Sequence, residues 1–376
     1  LRSRTPGGDT IGAAAPAATG VELPQSATLE LADAQIPLID LEAIARATGA
    51  ERTRLIQEFG DGLRGVGFIA VKADQLTPII EKMYAEESAY FRQPLGTKMR
   101  DWHDNNGQTG FSPQGAETAA GAKFHDKKEF WHISPGLAKW PTYRPSFQKV
   151  MTEYHQKLTK YLAPMLDYLQ EYLGEEIESS TKSVETASSL LRLAYYPAPD
   201  PQDPPQQKWA APHEDLNLLT LLPPATCPGL QLINKQGEWM SVNVPPGYLI
   251  VNTGEQLEKK TAGWMRATRH QVVNPGGEWA RQERFSAVYF GTWSSGLSLA
   301  PLSSCVKKVC AGMTEARKKE YLQQYPDVTV EENLLSRLIE LKLIPEPSEN
   351  LVAHLRGKGL LKLPPETLRL QFPHLF

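Results

Sequence analysis

Hydrophobic and polar residues alternate with two different periods along the chain. In residues 146–173 the apolar positions are Phe147, Val150, Met151, Tyr154, Leu158, Tyr161, Leu162, Met165 and Leu169. That is the spacing of one face of an α-helix laid against a core. Its aromatics are read as packing groups, and Pro164 removes one N–H from the ladder and is expected to bend the helix. Upstream, "IPLIDL" (36–41) reads as a short strand with its proline at the start. "ERTRLIQEFGDGLRGVG" reads as a helix and "GFIAV" as an apolar strand. Thr77 and Pro78 are predicted to be the N-cap and first residue of another helix, which ends near Pro94. Residues 101–122, rich in Gly, Asn, Ser and Thr, read as a long loop.

From about Leu190 the period shortens. "LLRLAYYP", "NLLTLLP", "GLQLI", "EWMSVN", "GYLIVN", "ATRHQVVN" and "RFSAVYF" are apolar or alternating runs bounded by Pro, Gly and Asn. Short strands at such intervals predict a sandwich or barrel. Helical spacing returns over 313–357, where Thr329 and Glu332 form a capping box ahead of "NLLSRLIELKL".

Composition narrows the class. With 376 residues, 41% of them hydrophobic, the chain can bury one large domain or two intimate ones. The formal net charge is −3 and the charges are interspersed, so nothing electrostatic points to nucleic acid or an anionic membrane. No apolar run approaches the roughly 20 residues a membrane helix needs, and a soluble protein is expected. Cys227, Cys305 and Cys310 are an odd, sparse set that does not suit a disulfide framework, which fits a reducing compartment. Cys305 and Cys310 have no further ligand type at metal-binding spacing. The first 24 residues, rich in Ala, Gly, Pro and Thr, are expected to be disordered. They are read as a tail or tag remnant on a cytoplasmic, monomeric protein, with an organellar transit-peptide remnant as the alternative.

The chemistry starts at "APHEDLNLLTLLPP", where His213 and Asp215 stand two apart before a run of leucines. Polar groups entering an apolar strand cost free energy unless something holds them. On a strand, residues i and i+2 share a face, so this imidazole and carboxylate can aim at one point. His270 in "ATRHQVVNP" is the third candidate. Two histidines and one carboxylate on one face leave the opposite positions open, the arrangement of non-haem Fe(II) oxygenases. A structural zinc site would be closed by four protein ligands. An H-x-D triplet also occurs on ordinary loops, and of the eight histidines only His213 has an acid two residues later. His103, His125, His132, His155, His354 and His374 are read as structural or surface groups. Arg284 and Ser286 in "RFSAVYF" again stand two apart. A guanidinium fork and a hydroxyl on one face suit the carboxylate of an acidic cosubstrate. The alternative is a rim arginine paired with a local acid.

Together, "HEDLNLLTLL", "RATRHQVVNP" and "RFSAVYF" resemble the H-x-D…H…R-x-S signature of the isopenicillin N synthase-like Fe(II)/2-oxoglutarate oxygenases. "GYLIVNTGEQLE" is similar to the segment between the histidines, and "LRLAYYPAP" to the strand before H-x-D. "IPLIDL", "LRGVGFIAV", "AYFRQPLGTKM" and "HDKKEFWHI" resemble the family's N-terminal region, so the likeness covers roughly residues 36–295. It implies an α+β fold with a mainly β core, a double-stranded β-helix (jelly roll) with flanking helices. The expected organisation is a tail over 1–35, a helical N-terminal region over 36–145, and a packing helix with its connection over 146–185. The jelly roll follows over 186–300 and a C-terminal helical extension over 301–376.

The resemblance implies that His213, Asp215 and His270 ligate Fe(II). It implies that Arg284 and Ser286 bind the distal carboxylate of 2-oxoglutarate, that Tyr196 hydrogen-bonds that cosubstrate, and that Asn252 lies just behind the metal ligands. The expected activity is hydroxylation, desaturation or cyclisation of a small organic molecule of secondary metabolism with O2, releasing succinate and CO2. One position departs from the pattern. Many members that use 2-oxoglutarate carry Asn two residues before the tyrosine, and here it is Ala194. R-x-S is also kept in isopenicillin N synthase, where it binds the substrate's carboxylate. A same-fold Fe(II) oxidase that does not use 2-oxoglutarate is therefore the first alternative, and a non-catalytic jelly-roll binding protein the second. Substrate choice is assigned to residues 101–125 and to the chain after about 300. There Leu297, Leu299 and the later helices either cover the barrel mouth or simply extend the packing.

Overall fold

The alternating segments after Leu190 do form strands, and the chain threads them between two sheets. A computed structural model describes residues 32–375 apart from 103–108, 117–124, 135, 178–188, 205–207, 341–342, 345 and 362–363. The strands are β1 (Leu38–Ile39), β2 (Phe68–Lys72), β3 (Gly110–Ser112), β4 (Glu129–Ile133), β5 (Leu190–Tyr196) and β6 (Ala210–His213). They continue with β7 (Leu219–Leu222), β8 (Leu230–Ile233), β9 (Trp239–Ser241), β10 (Tyr248–Thr253), β11 (His270–Val272) and β12 (Arg284–Gly291). The larger sheet runs β1-β2-β10-β7-β12-β5-β4-β3 and the smaller β6-β11-β8-β9. All pairings are antiparallel except β1 with β2. From β6 onward the chain crosses repeatedly: β6 small, β7 large, β8 and β9 small, β10 large, β11 small, β12 large. That winding is the expected double-stranded β-helix.

Helices cover one face of the larger sheet. They are α1 (Leu41–Arg46), α2 (Gly49–Gly65), α3 (Thr77–Phe91), the single turn α4 (Leu95–Lys98) and the long α5 (Pro145–Leu173). α5 ends where Gly174 takes the left-handed conformation at φ +69°, which costs a glycine little. The period-2 pattern of the strands sorts side chains between two cores. Leu191 and Leu193 of β5 and Phe285, Ala287 and Tyr289 of β12 join Tyr90, Phe147 and Leu158 beneath the helices. Ala194 and Tyr196 face the other way, into the space between the sheets with Trp209, Leu232, Ile250 and Val272.

Three local expectations change. Thr77 is the first residue of α3 rather than its cap, because the turn Asp74–Leu76 runs straight into the helix and leaves no extended residue to cap it. The region 36–145 contains its expected helices and the two expected strands, β1 and β2, but also supplies β3 and β4. The apolar run of β2 lies between β1 and β10, and β3 and β4 extend the sheet beyond β5. The long loop expected over 101–122 contains β3, and its residues 103–108 and 117–122 lie outside the described residues. Of the tail expected over 1–35, residues 1–31 lie outside the described residues, while Ala32 and Ala34 exchange hydrogen bonds with Ser241 at 3.1 and 2.9 Å.

The C-terminal segment is helical, and Leu299, Cys305, Val330, Ile339 and Leu355 join the helix-side core. The Thr329–Glu332 capping box is present, with N–H···O distances of 3.1 and 2.7 Å. Arg337 on Val330–Glu340 pairs with Glu255, which opens the short helix Glu255–Lys260. Among the described residues no helix is long and apolar enough to cross a membrane.

Candidate metal centre

His213 ends β6 and His270 begins β11, and the two are cross-strand partners. Their ring centroids lie 4.4 Å apart. Asp215 reaches them differently from the sequence expectation. It does not share a strand face with His213, because β6 stops at His213 and the chain turns there toward the larger sheet. The crossing passes directly over Gly254, where a Cβ would sit 2.1 Å from the Asn217 carbonyl oxygen, so only glycine admits this approach. The backbone N–H of Glu255 then donates to the Asp215 carbonyl at 2.8 Å.

The larger sheet fixes the Asp215 carboxylate. The Thr220 hydroxyl donates to Oδ2 at 2.6 Å and the Asn252 amide at 2.8 Å. Thr220 and Asn252 are register partners on β7 and β10. Asn252 thus lies against the carboxylate as expected, while Thr220 escaped the sequence reading, although it is the one polar residue in the run "LTLL".

Oδ1 faces the imidazoles, 3.8 Å from His213 Nε2 and 3.6 Å from His270 Nε2. Each ring turns its Nδ1 to a carbonyl two residues upstream, Ala211 at 2.7 Å and Thr268 at 2.9 Å. A nitrogen facing a carbonyl carries the proton, which leaves the Nε2 lone pairs aimed at the shared space.

Burial, reinforced by the neighbouring His270, pushes His213 down to about 4, so it is neutral at physiological pH. Burial alone would raise Asp215. His270, His213 and the donations from Thr220 and Asn252 outweigh it and hold the carboxyl below its usual range. The three donor atoms lie within 4.8 Å of one another. Two imidazoles and one carboxylate fit a divalent cation, which also offsets the cost of keeping the carboxylate buried.

The second group of residues lines the wall between the sheets. Arg284 and Tyr196 are register partners, as are Ser286 and Ala194. Arg284 is 2% exposed and Ser286 1%, so the rim-arginine alternative fails. The guanidinium lies 5.1 Å from the Tyr196 ring centroid. Arg284 Nε donates to the Cys227 carbonyl at 3.0 Å, but Nη1 is buried without a hydrogen-bond partner among the described residues. A buried guanidinium nitrogen left unsatisfied marks a place for an anion. Behind this wall Glu87 of α3 is fully buried, near the backbone of Ser286 and Ala194, and burial raises its carboxyl well above the usual range. Nothing in the local sequence "YAEESAYF" singled it out from its acidic neighbours.

No other described histidine joins the metal-ligating group. His155, His354 and His374 contact Ser189, Glu332 and Pro347 respectively, and His132 meets Arg192. His103 lies outside the described residues.

Residues 187–292 match the family model described as the 2OG-Fe(II) oxygenase superfamily, and 36–151 match that of the non-haem dioxygenase in morphine synthesis N-terminal region. A 2OG-Fe(II) oxygenase family protein of known structure from Caulobacter crescentus is 30% identical, with a TM-score of 0.69 over 82% of this chain and 99% of its own. The chain belongs to the 2OG-Fe(II) oxygenase superfamily. This oxygenase is also 28% identical over 302 residues to 2-oxoglutarate-dependent dioxygenase 11 of Oryza sativa subsp. japonica, across 77% of this chain and 80% of that protein. It shares its fold with a full-length Neurospora crassa protein solved in complex with alpha-KG. That likeness has a TM-score of 0.69 at 22% identity, over 81% of this oxygenase and 96% of the Neurospora chain.

Proposed function

We propose that the oxygenase holds Fe(II) on His213, Asp215 and His270 and seats 2-oxoglutarate against Arg284, Ser286 and Tyr196. With O2 it oxidises a small organic molecule and releases succinate and CO2. One observation carries this reading. Two imidazole Nε2 atoms and one carboxylate oxygen converge on a common space, while the buried Arg284 Nη1 stands without a partner among the described residues on the wall between the same sheets.

Bound Fe(II) would supply the one-electron and O2 chemistry that amino-acid side chains lack. The protein's part is positional. Thr220 and Asn252 hold Oδ2 so that Oδ1 stays turned to the histidines. The backbone carbonyls of Ala211 and Thr268 hold each Nδ1–H, which keeps both rings oriented. Arg284 offers a positive charge to a distal carboxylate, and Ser286 a hydroxyl. Trp209 and Leu232 help to close the apolar space around them and keep out water.

Ala194 supports a second reading, in which Arg284 and Ser286 take the carboxylate of the substrate itself and 2-oxoglutarate is not used. Anaerobic addition of Fe(II) and then 2-oxoglutarate separates the two. A weak visible charge-transfer band that is lost in Asp215→Ala supports the first reading. Iron binding with no band on adding 2-oxoglutarate supports the second. Iron binding unchanged in His213→Ala and Asp215→Ala would overturn both.

A further inference from the structure

We infer that Asp126 is a positioning residue of the metal centre, clamping a bulge in β6 so that His213 is aimed at the space it shares with Asp215 and His270. The inference rests on the metal reading above and extends it to a residue of the N-terminal region that acts through Ala211.

β6 has only β11 beside it, because it ends the smaller sheet. The pairing of the two slips between His270 and Val272. Ala210 stands opposite Val272 and His213 opposite His270, so Ala211 and Pro212 share Gln271. An extra residue of this kind bends its strand and re-aims the side chain beside it. Here that side chain is a metal ligand. Pro212 brings no N–H to the bulge, so Ala211 is its one backbone donor. Ala211 N–H donates to Asp126 Oδ1 at 2.9 Å. The carbonyl of the same residue accepts from His213 Nδ1 at 2.7 Å. Asp126 thus fixes the residue that fixes the imidazole.

The surroundings of Asp126 suit that task. It stands in "HDKKEFWHI" and is 4% exposed. Its Oδ2 accepts from Lys128 Nζ at 2.9 Å, so its two oxygens are divided between a cation and the Ala211 amide. A backbone N–H bonded to a carboxylate is held more strongly than one bonded to a neutral acceptor. Lys127 adds a second tie. Its N–H donates to the Lys208 carbonyl at 3.0 Å, just ahead of β6, and its ammonium pairs with Asp203. Residues 126–128 then run into β4 of the larger sheet. The segment fastens the outermost strand of the smaller sheet to the larger one, at the strand that carries His213.

The test compares two double variants of the full chain, both without the buried charge pair. Asp126→Asn/Lys128→Met keeps an oxygen acceptor for the Ala211 N–H, and Asp126→Leu/Lys128→Met does not. The probe is Co(II), whose visible absorption follows the geometry of its ligands. Its Kd is measured by anaerobic competitive titration, and Tm without metal by a thermal melt. The leucine form is expected to bind Co(II) about 10- to 100-fold more weakly than the asparagine form. Its visible spectrum is expected to move toward that of His213→Ala, while the asparagine form keeps the wild-type spectrum. A leucine form with the Kd and spectrum of the asparagine form would overturn the proposal, whether or not the two differ in Tm. If the leucine form does not fold, Asp126→Ala/Lys128→Met takes its place. Failure of the acceptor-free forms, or of all three, to fold would make Asp126 a folding residue and overturn the positioning role as well. Wild type that binds no Co(II) would instead bring down the metal reading beneath it.

Discussion

Replacing Arg284 with Met should weaken 2-oxoglutarate binding and yet leave the empty protein as stable as before, or more so. Met keeps most of the buried volume and discards the donor fork. A carboxylate seated on that fork accepts two charge-assisted hydrogen bonds, each contributing about 1.5–3 kcal/mol in a buried setting. Truncating one partner of such a buried pair costs about 2–5 kcal/mol, so a loss of about 3–4 kcal/mol predicts a Kd about 10²–10³-fold higher. Stability runs the other way. Without 2-oxoglutarate Nη1 is buried with no hydrogen-bond partner among the described residues, and an unsatisfied buried donor costs about 1–3 kcal/mol. Met removes that cost and gives up the Nε bond to the Cys227 carbonyl, about 1 kcal/mol, and the contact of the cation with the Tyr196 ring, about 0.5–1 kcal/mol. Anaerobic titration of the visible band, or calorimetry, measures the Kd, and a thermal melt without 2-oxoglutarate measures the stability. A variant within about threefold of the wild-type Kd would refute the reasoning, because a buried fork that holds the distal carboxylate cannot be that dispensable.

Three further substitutions probe the supports of the site. Asn252→Ala removes one of the two donors to Asp215 Oδ2 and should lower affinity for Fe(II) or Co(II) by about 10- to 100-fold, read by competitive metal titration. Glu87→Gln should raise Tm by an amount that grows between pH 5 and pH 8. Burial keeps this carboxyl protonated in the fold well above 4.5, where the unfolded chain ionises, so its contribution to stability falls as pH rises through that window. The amide does not titrate, and a Tm difference independent of pH would count against the buried acid. Arg337→Met leaves Glu255, 7% exposed, without its cation and should cost about 2 kcal/mol in urea unfolding. It should also weaken metal binding, because the Glu255 N–H holds the Asp215 carbonyl.

Much of this arrangement was legible in the residues. α5 showed because a 3.6-residue period sustained over many turns has no other reading. β5, β7 and β10 to β12 showed because each apolar run is closed by Pro, Gly or Asn. His213, Asp215 and His270 could be grouped because few patterns bring two imidazoles and a carboxylate near a strand. How they meet was not legible. The i, i+2 rule assumes that a strand continues, and β6 ends at His213 because the chain leaves its sheet there. Thr220 and Asn252 depend on the pairing of β7 with β10, which a linear pattern does not contain. β3 and β4 are short and preceded by polar residues, so their alternation is too brief to separate from loop.

The triad takes its imidazoles from one sheet and the supports of its carboxylate from the other, and β6, which carries His213, is the outermost strand of the smaller sheet. A divalent ion there would act as a rivet between the layers, at one edge of the smaller sheet. Iron supply then becomes a matter of protein lifetime as well as turnover. Deuterium uptake at the amides of Ala210–His213 should fall sharply on metal loading, while α5, which packs one face on the helix-side core, should not register it.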